Sequence, residues 1–190
     1  MTETVEEIVR ACESMAGLPY DGEPVDQLEH AMQCAELAQS ERGGDIEFVV
    51  ACLLHDIARA PAVAGIPYDG PREHHGEAGG RWLEPRAGAR VARLAAQHVS
   101  AKRFLVATDA RYRELLSDVS RRTLEAQGGA MSTAEIEEFR SRPDWRQAVE
   151  LRLIDDRAKV PGLAVPGIEA YGPQLATVVA AAQARPPQAD

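Results

Sequence analysis

The stretch IEFVVACLLHDIAR, residues 46–59, is apolar on almost every side of a helix. A helix of that kind has to lie at the centre of a bundle, walled by other helices. It also ends on His55-Asp56, and a charged aspartate at the end of a buried element is costly unless something pairs with it. The rest of the chain supplies the walls. Nearly every periodic segment repeats at helical spacing, and no alternating strand pattern occurs. Thr4 with Glu7 reads as a capping box, followed by Val5, Ile8, Val9, Cys12 and Met15 on one face. A second helix is predicted from Val25 to Arg42, stopped by Gly43 and Gly44, and Asp45 reads as the N-cap of the central helix.

Residues 60–72, with Pro61, Gly65, Pro67, Gly70 and Pro71, read as a loop. Helices are predicted again at Glu73–Leu83, Ala87–Phe104, Ser117–Gln127, Thr133–Arg140, Asp144–Lys159 and Gly172–Ala184, with a loose tail at 185–190. The expectation is one all-α domain with its core between about residues 4 and 184. At 190 residues the length suits one domain with a sizeable core.

Charge narrows the function. Thirty acidic residues against twenty-one basic ones give a net charge of -9, which argues against nucleic acid or an anionic membrane as partner. An anionic substrate must then be drawn by local groups. Cys12, Cys34 and Cys52 fall in apolar helical patterns without ligand-type spacing and read as reduced buried thiols. The acidic opening MTETVEEIVR is no secretory signal, and no run approaches a membrane span, so a cytoplasmic location is expected.

The chain has only five histidines: His30, His55, His74, His75 and His98. His30 lies on the apolar face of LEHAMQCAELA, and His98 shares a face with Val91, Leu94 and Ala95. Asp155 follows Leu151 and Ile154 and points a carboxylate at the core. Inward imidazoles are ready metal ligands. Two inward carboxylates with no frequent basic partner in the pattern would be neutralised by divalent ions.

This order, a His, then His-Asp, then two separated His, then an Asp, resembles the ligand pattern of the HD superfamily, which implies an all-α HD domain holding two metals. In that resemblance Asp56 bridges. His30, His55, Asp56 and Asp155 complete one site, and Asp56, His75 and His98 the other. His75 stands four residues before Gly79 and Asp155 four before Lys159, as in the family. Their neighbours His74 and Asp156 remain the alternatives. Within the superfamily, LPYDGEPVDQLEHAMQCAE, HVSAKRFLVATD, SRRTLEAQGGAMS and WRQAVELRLIDDRAKVPG together resemble the PhnZ-type oxygenases over residues 18–163.

That resemblance implies two iron ions, Fe(II) and Fe(III), dioxygen as co-substrate, and cleavage of the carbon–phosphorus bond of a 1-hydroxyphosphonate. It implies that Tyr20 caps an open metal position and swings away with Glu23 when substrate binds. Lys102 would hold a phosphonate oxygen, with Ser120 and Gln127 in the same pocket. Aminohydroxyethyl-cleaving relatives carry a histidine where this chain has Arg59, whose fork suits a phosphonate and leaves the substrate's tail open. The other enzyme reading is a divalent-metal phosphohydrolase of nucleotides or phosphomonoesters. The expected partner is a small-molecule organophosphonate substrate, and the expected state of the chain is a monomer or a small homo-oligomer.

Overall fold

The computed structural model describes residues 2–68 and 74–184. The expected Gly70 and Pro71 of the loop, the helix start at Glu73 and the tail at 185–190 lie outside the described residues. Among the described residues the fold is all-α, and no helix is long and apolar enough to cross a membrane. In chain order the helices are α1 Glu3–Glu13, α2 Gln27–Arg42, α3 Ile46–Leu54, α4 Pro61–Ala64, α5 His75–Ala87 and α6 Ala89–Thr108. They continue with α7 Ala110–Leu115, α8 Asp118–Ala126, α9 Thr133–Ser141, α10 Trp145–Arg157 and α11 Gly172–Gln183. Short 3₁₀ turns cover Ile57–Arg59 and Ile168–Tyr171.

The apolar α3 is the axis, as its composition demands. Phe48 through Leu54 are all buried, and α2, α6, α10 and α11 pack around it. One apolar cluster runs from Val5 and Ile8 through α3 to Leu94, Leu151 and Val179. The three cysteines are buried free thiols within or beside it.

Local chemistry sets the boundaries and corrects several expectations. The cap of α1 is Thr2, whose hydroxyl accepts from Val5 N–H, and not Thr4. Helix α2 starts after Asp26, which forms a capping box with Glu29. Its N-cap carboxylate also accepts from Gly17 N–H at 2.9 Å, tying the preceding loop down. The proline-rich segment after the central helix contains the short α4, opened by Pro61 and closed by Gly65 at φ +70°. An extra helix, α7, follows α6 because Asp109 caps it by accepting from Arg111 and Tyr112 N–H. The central helix itself stops at Leu54, five residues early, and the chain turns through His55 and Asp56 into the 3₁₀ turn.

Candidate metal centre

That early stop builds the site. In an unbroken α-helix, adjacent side chains diverge by about 100°, so His55 and Asp56 could not share a direction. With α geometry abandoned at Asp56, φ −101° and ψ 13°, their reacting atoms stand 3.6 Å apart, both buried. His30 arrives from the first turn of α2, His98 from the middle of α6, Asp155 from α10 and His75 as the first residue of α5. All are at most 3% exposed.

His75 reaches its position because α5 lies almost against α6. A Cβ on Gly80 would meet the Ala96 methyl at 2.8 Å and the Ala92 carbonyl at 3.0 Å. One on Gly76 would meet Ala96 O at 3.0 Å. With these glycines the helices close, and Nε2 of His75 lies 3.0 Å from Nε2 of His98. His74, by contrast, is an exposed N-cap residue paired at 3.4 Å with Glu77.

The imidazoles are oriented from behind. Nδ1–H of His30 donates to the Ala158 carbonyl (2.8 Å), that of His55 to Cys52 (2.9 Å) and that of His98 to Ala95 (2.6 Å). A carbonyl only accepts, so the proton sits on Nδ1 and each Nε2 turns a lone pair inward. Burial pushes all three below the usual imidazole range, His30 to about 4, despite the opposing carboxylates. They are neutral at pH 7. Yet Nε2 of His30 lies 3.3 Å from Nε2 of His55 and 3.4 Å from Asp155 Oδ1, acceptors facing acceptors.

Asp56 stands between two such groups. Its Oδ1 is 3.1 and 3.4 Å from Nε2 of His75 and His98, and its Oδ2 is 3.6 Å from Nε2 of His55. Neither oxygen has a hydrogen-bond partner of acceptable geometry among the described residues. Burial opposes the charge on Asp56 most, but Arg59 and the imidazoles outweigh it and hold the carboxyl well below the usual carboxylate range. A buried carboxylate facing the inward lone pairs of His55 on one side and His98 on the other fits a cation on each side. Imidazole and carboxylate donors suit iron, manganese or zinc alike. Cys34 is close to His30, but its Sγ is 3.6 Å from Nε2 and 4.0 Å from Nδ1, which places it over the ring face and off the lone-pair axis.

The expectation that the inward carboxylates lack basic partners is overturned. Arg152 donates to Asp155 Oδ2 at 2.7 Å, and Arg59 Nε is 3.2 Å from Asp56 Oδ2. Bare charge therefore does not call for metal here; the missing hydrogen bonds on Asp56 and the converging lone pairs do. Asp156 turns away from the cluster to Tyr112 OH (2.6 Å) and Arg152. Asp155 is held well below its usual range against the cost of burial, chiefly by Arg152.

Above the cluster lies a cavity of about 30 Å³, room for roughly one water. Tyr20 lines it: its ring stacks on His30 with centroids 4.0 Å apart, and its hydroxyl donates to Asp155 Oδ1 at 3.3 Å. Burial and then Asp155 raise the phenol well above its ordinary range, so it stays protonated. Glu23, in the same turn, accepts from Ser117 Oγ at 2.7 Å and faces Lys159 Nζ at 3.6 Å. Lys102 is 3% exposed and donates to Thr123 Oγ1 at 3.0 Å. Ser120 and Gln127 also line the cavity, the latter with a buried Oε1 that lacks a partner among the described residues. Arg59 lines it too, pairing with Asp21.

Sequence reasoning missed Arg152 and Asp21. Arg152 had a signal, since it precedes Asp155 and Asp156 by three and four residues on one helix. Asp21 had none, because its partner Arg59 is 38 residues away.

No protein-family model matches the chain. It is similar to the hydroxymethylphosphonate dioxygenase of Gimesia maris, 39% identical over 162 residues that cover 82% of this chain and 78% of that protein. It is also similar to the glycine-betaine-forming [1-hydroxy-2-(trimethylamino)ethyl]phosphonate dioxygenase of Leisingera caerulea, 33% identical over 162 residues, 84% of this chain and 82% of that one. An uncharacterized protein of Acanthamoeba polyphaga mimivirus is 31% identical over 173 residues, 89% and 78% of the two chains.

Proposed function

The chain belongs to the PhnZ-type hydroxyphosphonate dioxygenases, and from that premise we propose that it cleaves the carbon–phosphorus bond of a compact 1-hydroxyphosphonate with dioxygen. The reaction balances as RCH(OH)PO₃²⁻ + O₂ → RCOO⁻ + H₂PO₄⁻. The carbon is oxidised, the carbon–phosphorus bond breaks and dioxygen supplies the oxygen atoms gained. The observation that carries the reading is Asp56, buried without hydrogen bonds between two groups of inward-facing donors beneath a cation-lined cavity.

In this reading the domain is an HD domain. His30, His55, Asp56 and Asp155 hold one iron and Asp56, His75 and His98 the other. When bound, the Fe(II)/Fe(III) pair supplies a Lewis-acidic template for the substrate oxygens and the electrons that activate dioxygen. The chain's own side chains do the binding and orienting. Lys102 holds a phosphonate oxygen by a charge-assisted hydrogen bond, with Arg59, Ser120 and Gln127 around the same head group. The carbonyls of Ala158, Cys52 and Ala95 fix the imidazoles behind the ligands. Because the cavity holds about one water, Tyr20 and Glu23 have to withdraw before a phosphonate enters, and their return excludes bulk water.

The test is a panel of 1-hydroxyphosphonates incubated in air, with phosphate and carboxylic acid measured together. The reading expects the two in equal amounts from at least hydroxymethylphosphonate, with formate as the acid. No phosphate from any member, with phosphomonoesters hydrolysed to alcohols, would assign the chain to the metal-dependent phosphohydrolases.

A further inference from the structure

The turn that carries Tyr20 and Glu23 lays a third side chain into the site, and no step above uses it. Asp21 lies in the left-handed region at φ +50°, followed by Gly22 at φ +97°. Glu23 N–H closes the turn by donating to the Tyr20 carbonyl at 2.8 Å. The Asp21 side chain is only 4% exposed. One of its oxygens accepts from the Arg59 guanidinium and the other from Tyr68 OH. Arg59 is itself buried, with its Nε facing Asp56 and its guanidinium 5.2 Å above the Tyr20 ring.

A carboxylate oxygen and a phosphonate oxygen are equivalent acceptors for a guanidinium N–H, and Asp21 already takes the Nη1 of Arg59 with one of its oxygens. That N–H cannot serve an incoming phosphonate while Asp21 occupies it, and a cavity of about 30 Å³ has no room for both groups. Tyr20 and Asp21 are adjacent in one turn, so whatever uncovers Asp155 also pulls Asp21 from Arg59. We propose that Asp21 is a stand-in for the substrate's phosphonate on Arg59, and that substrate binding exchanges one counter-ion for the other. This rests on the functional reading above.

The exchange sets specificity for the head group. A ligand that displaces Asp21 without bringing its own negative charge leaves a buried guanidinium short of a counter-ion, which is costly. Neutral alcohols are rejected by that cost; dianionic phosphonates are accepted. The binding energy of the phosphonate is offset by the ion pair it breaks, so Asp21 weakens substrate binding as it sharpens selection.

The experiment is calorimetric titration of the metal-loaded protein with hydroxymethylphosphonate under anaerobic conditions, where no turnover occurs. It compares the wild type with Asp21→Asn, Arg59→Gln and the double variant. Asparagine adopts the left-handed conformation as readily as aspartate, so Asp21→Asn removes the charge and keeps the turn; Asp21→Gly serves if that variant does not fold. The expected result is binding about tenfold tighter for Asp21→Asn, the effect of losing one charge-assisted competitor, and no such gain in the Arg59→Gln background. Equal or weaker binding by Asp21→Asn with its metal retained, or the same gain without Arg59, would overturn the exchange alone. A wild-type protein that holds both metals and binds no hydroxymethylphosphonate would overturn the functional reading with it.

Discussion

Lys102 stands one helical turn beyond His98, and what surrounds it decides how it works. Burial first, and then the charge of Arg152, push its ammonium down to about 7. It is charged below that pH and neutral above it, so the hold on a phosphonate oxygen proposed for it weakens as pH rises through about 7. The value of kcat/KM should therefore fall on the alkaline side of pH 7. The same limb should be absent in Lys102→Arg, because arginine stays protonated. The substrate's own ionisation is common to both enzymes and cancels in the ratio of their profiles. Identical limbs in the two profiles would remove Lys102 from the head-group site. At this scale the sequence was informative wherever a residue type was improbable in its setting: a histidine or aspartate on an apolar face. It was silent on pairs made across the fold, such as Asp21 with Arg59.

The contact of α5 with α6 gives the site part of its shape. The sequence pointed to His75 by its spacing to Gly79, but the close approach of the two helices rests on Gly76 and Gly80, which that spacing does not involve. A side chain at Gly80 has no space, since its Cβ would come within 2.8 Å of Ala96, whereas one at Gly79 meets nothing nearer than 3.6 Å. Gly79→Ala should leave the melting temperature and the metal content unchanged or slightly raise the former, as alanine favours the helix by about 1 kcal/mol. Gly80→Val should push α5 outward, cost about 1–3 kcal/mol of overpacking and lower metal occupancy at the position served by His75. Equal behaviour of the two variants in thermal melts and elemental analysis would contradict this role for the helix contact. The break after Leu54 was not readable. Residues 46–59 contain no proline or glycine that would stop a helix, yet the helix ends at Leu54.

At the scale of the whole molecule, a chain of net charge -9 gathers Arg59, Lys102, Arg152 and Lys159 around one small cavity. The surface field repels an anion; the local cations, together with the metal ions proposed for the centre, would capture it. Metal ions held there would also contribute to the stability of the fold. At a thousandfold excess over its dissociation constant a bound ion adds about 4 kcal/mol, and a domain of this size shifts by roughly 2–4 °C per kcal/mol. Chelation should thus lower the melting temperature by roughly 10 °C, and Asp56→Ala should show no response to chelator. An unchanged melting temperature after complete stripping would contradict the metal's structural share. Water attack on phosphorus removes no electrons, whereas converting the hydroxyl-bearing carbon to a carboxylate as the carbon–phosphorus bond breaks removes four, the number that one dioxygen accepts. The most direct measurement is phosphate release from hydroxymethylphosphonate by the metal-loaded protein in sealed cells with and without dioxygen. Release is expected only with oxygen, at one dioxygen consumed per phosphate, stopping when oxygen is exhausted and resuming when it is readmitted. Phosphate released at the same rate in the anaerobic cell would contradict that expectation.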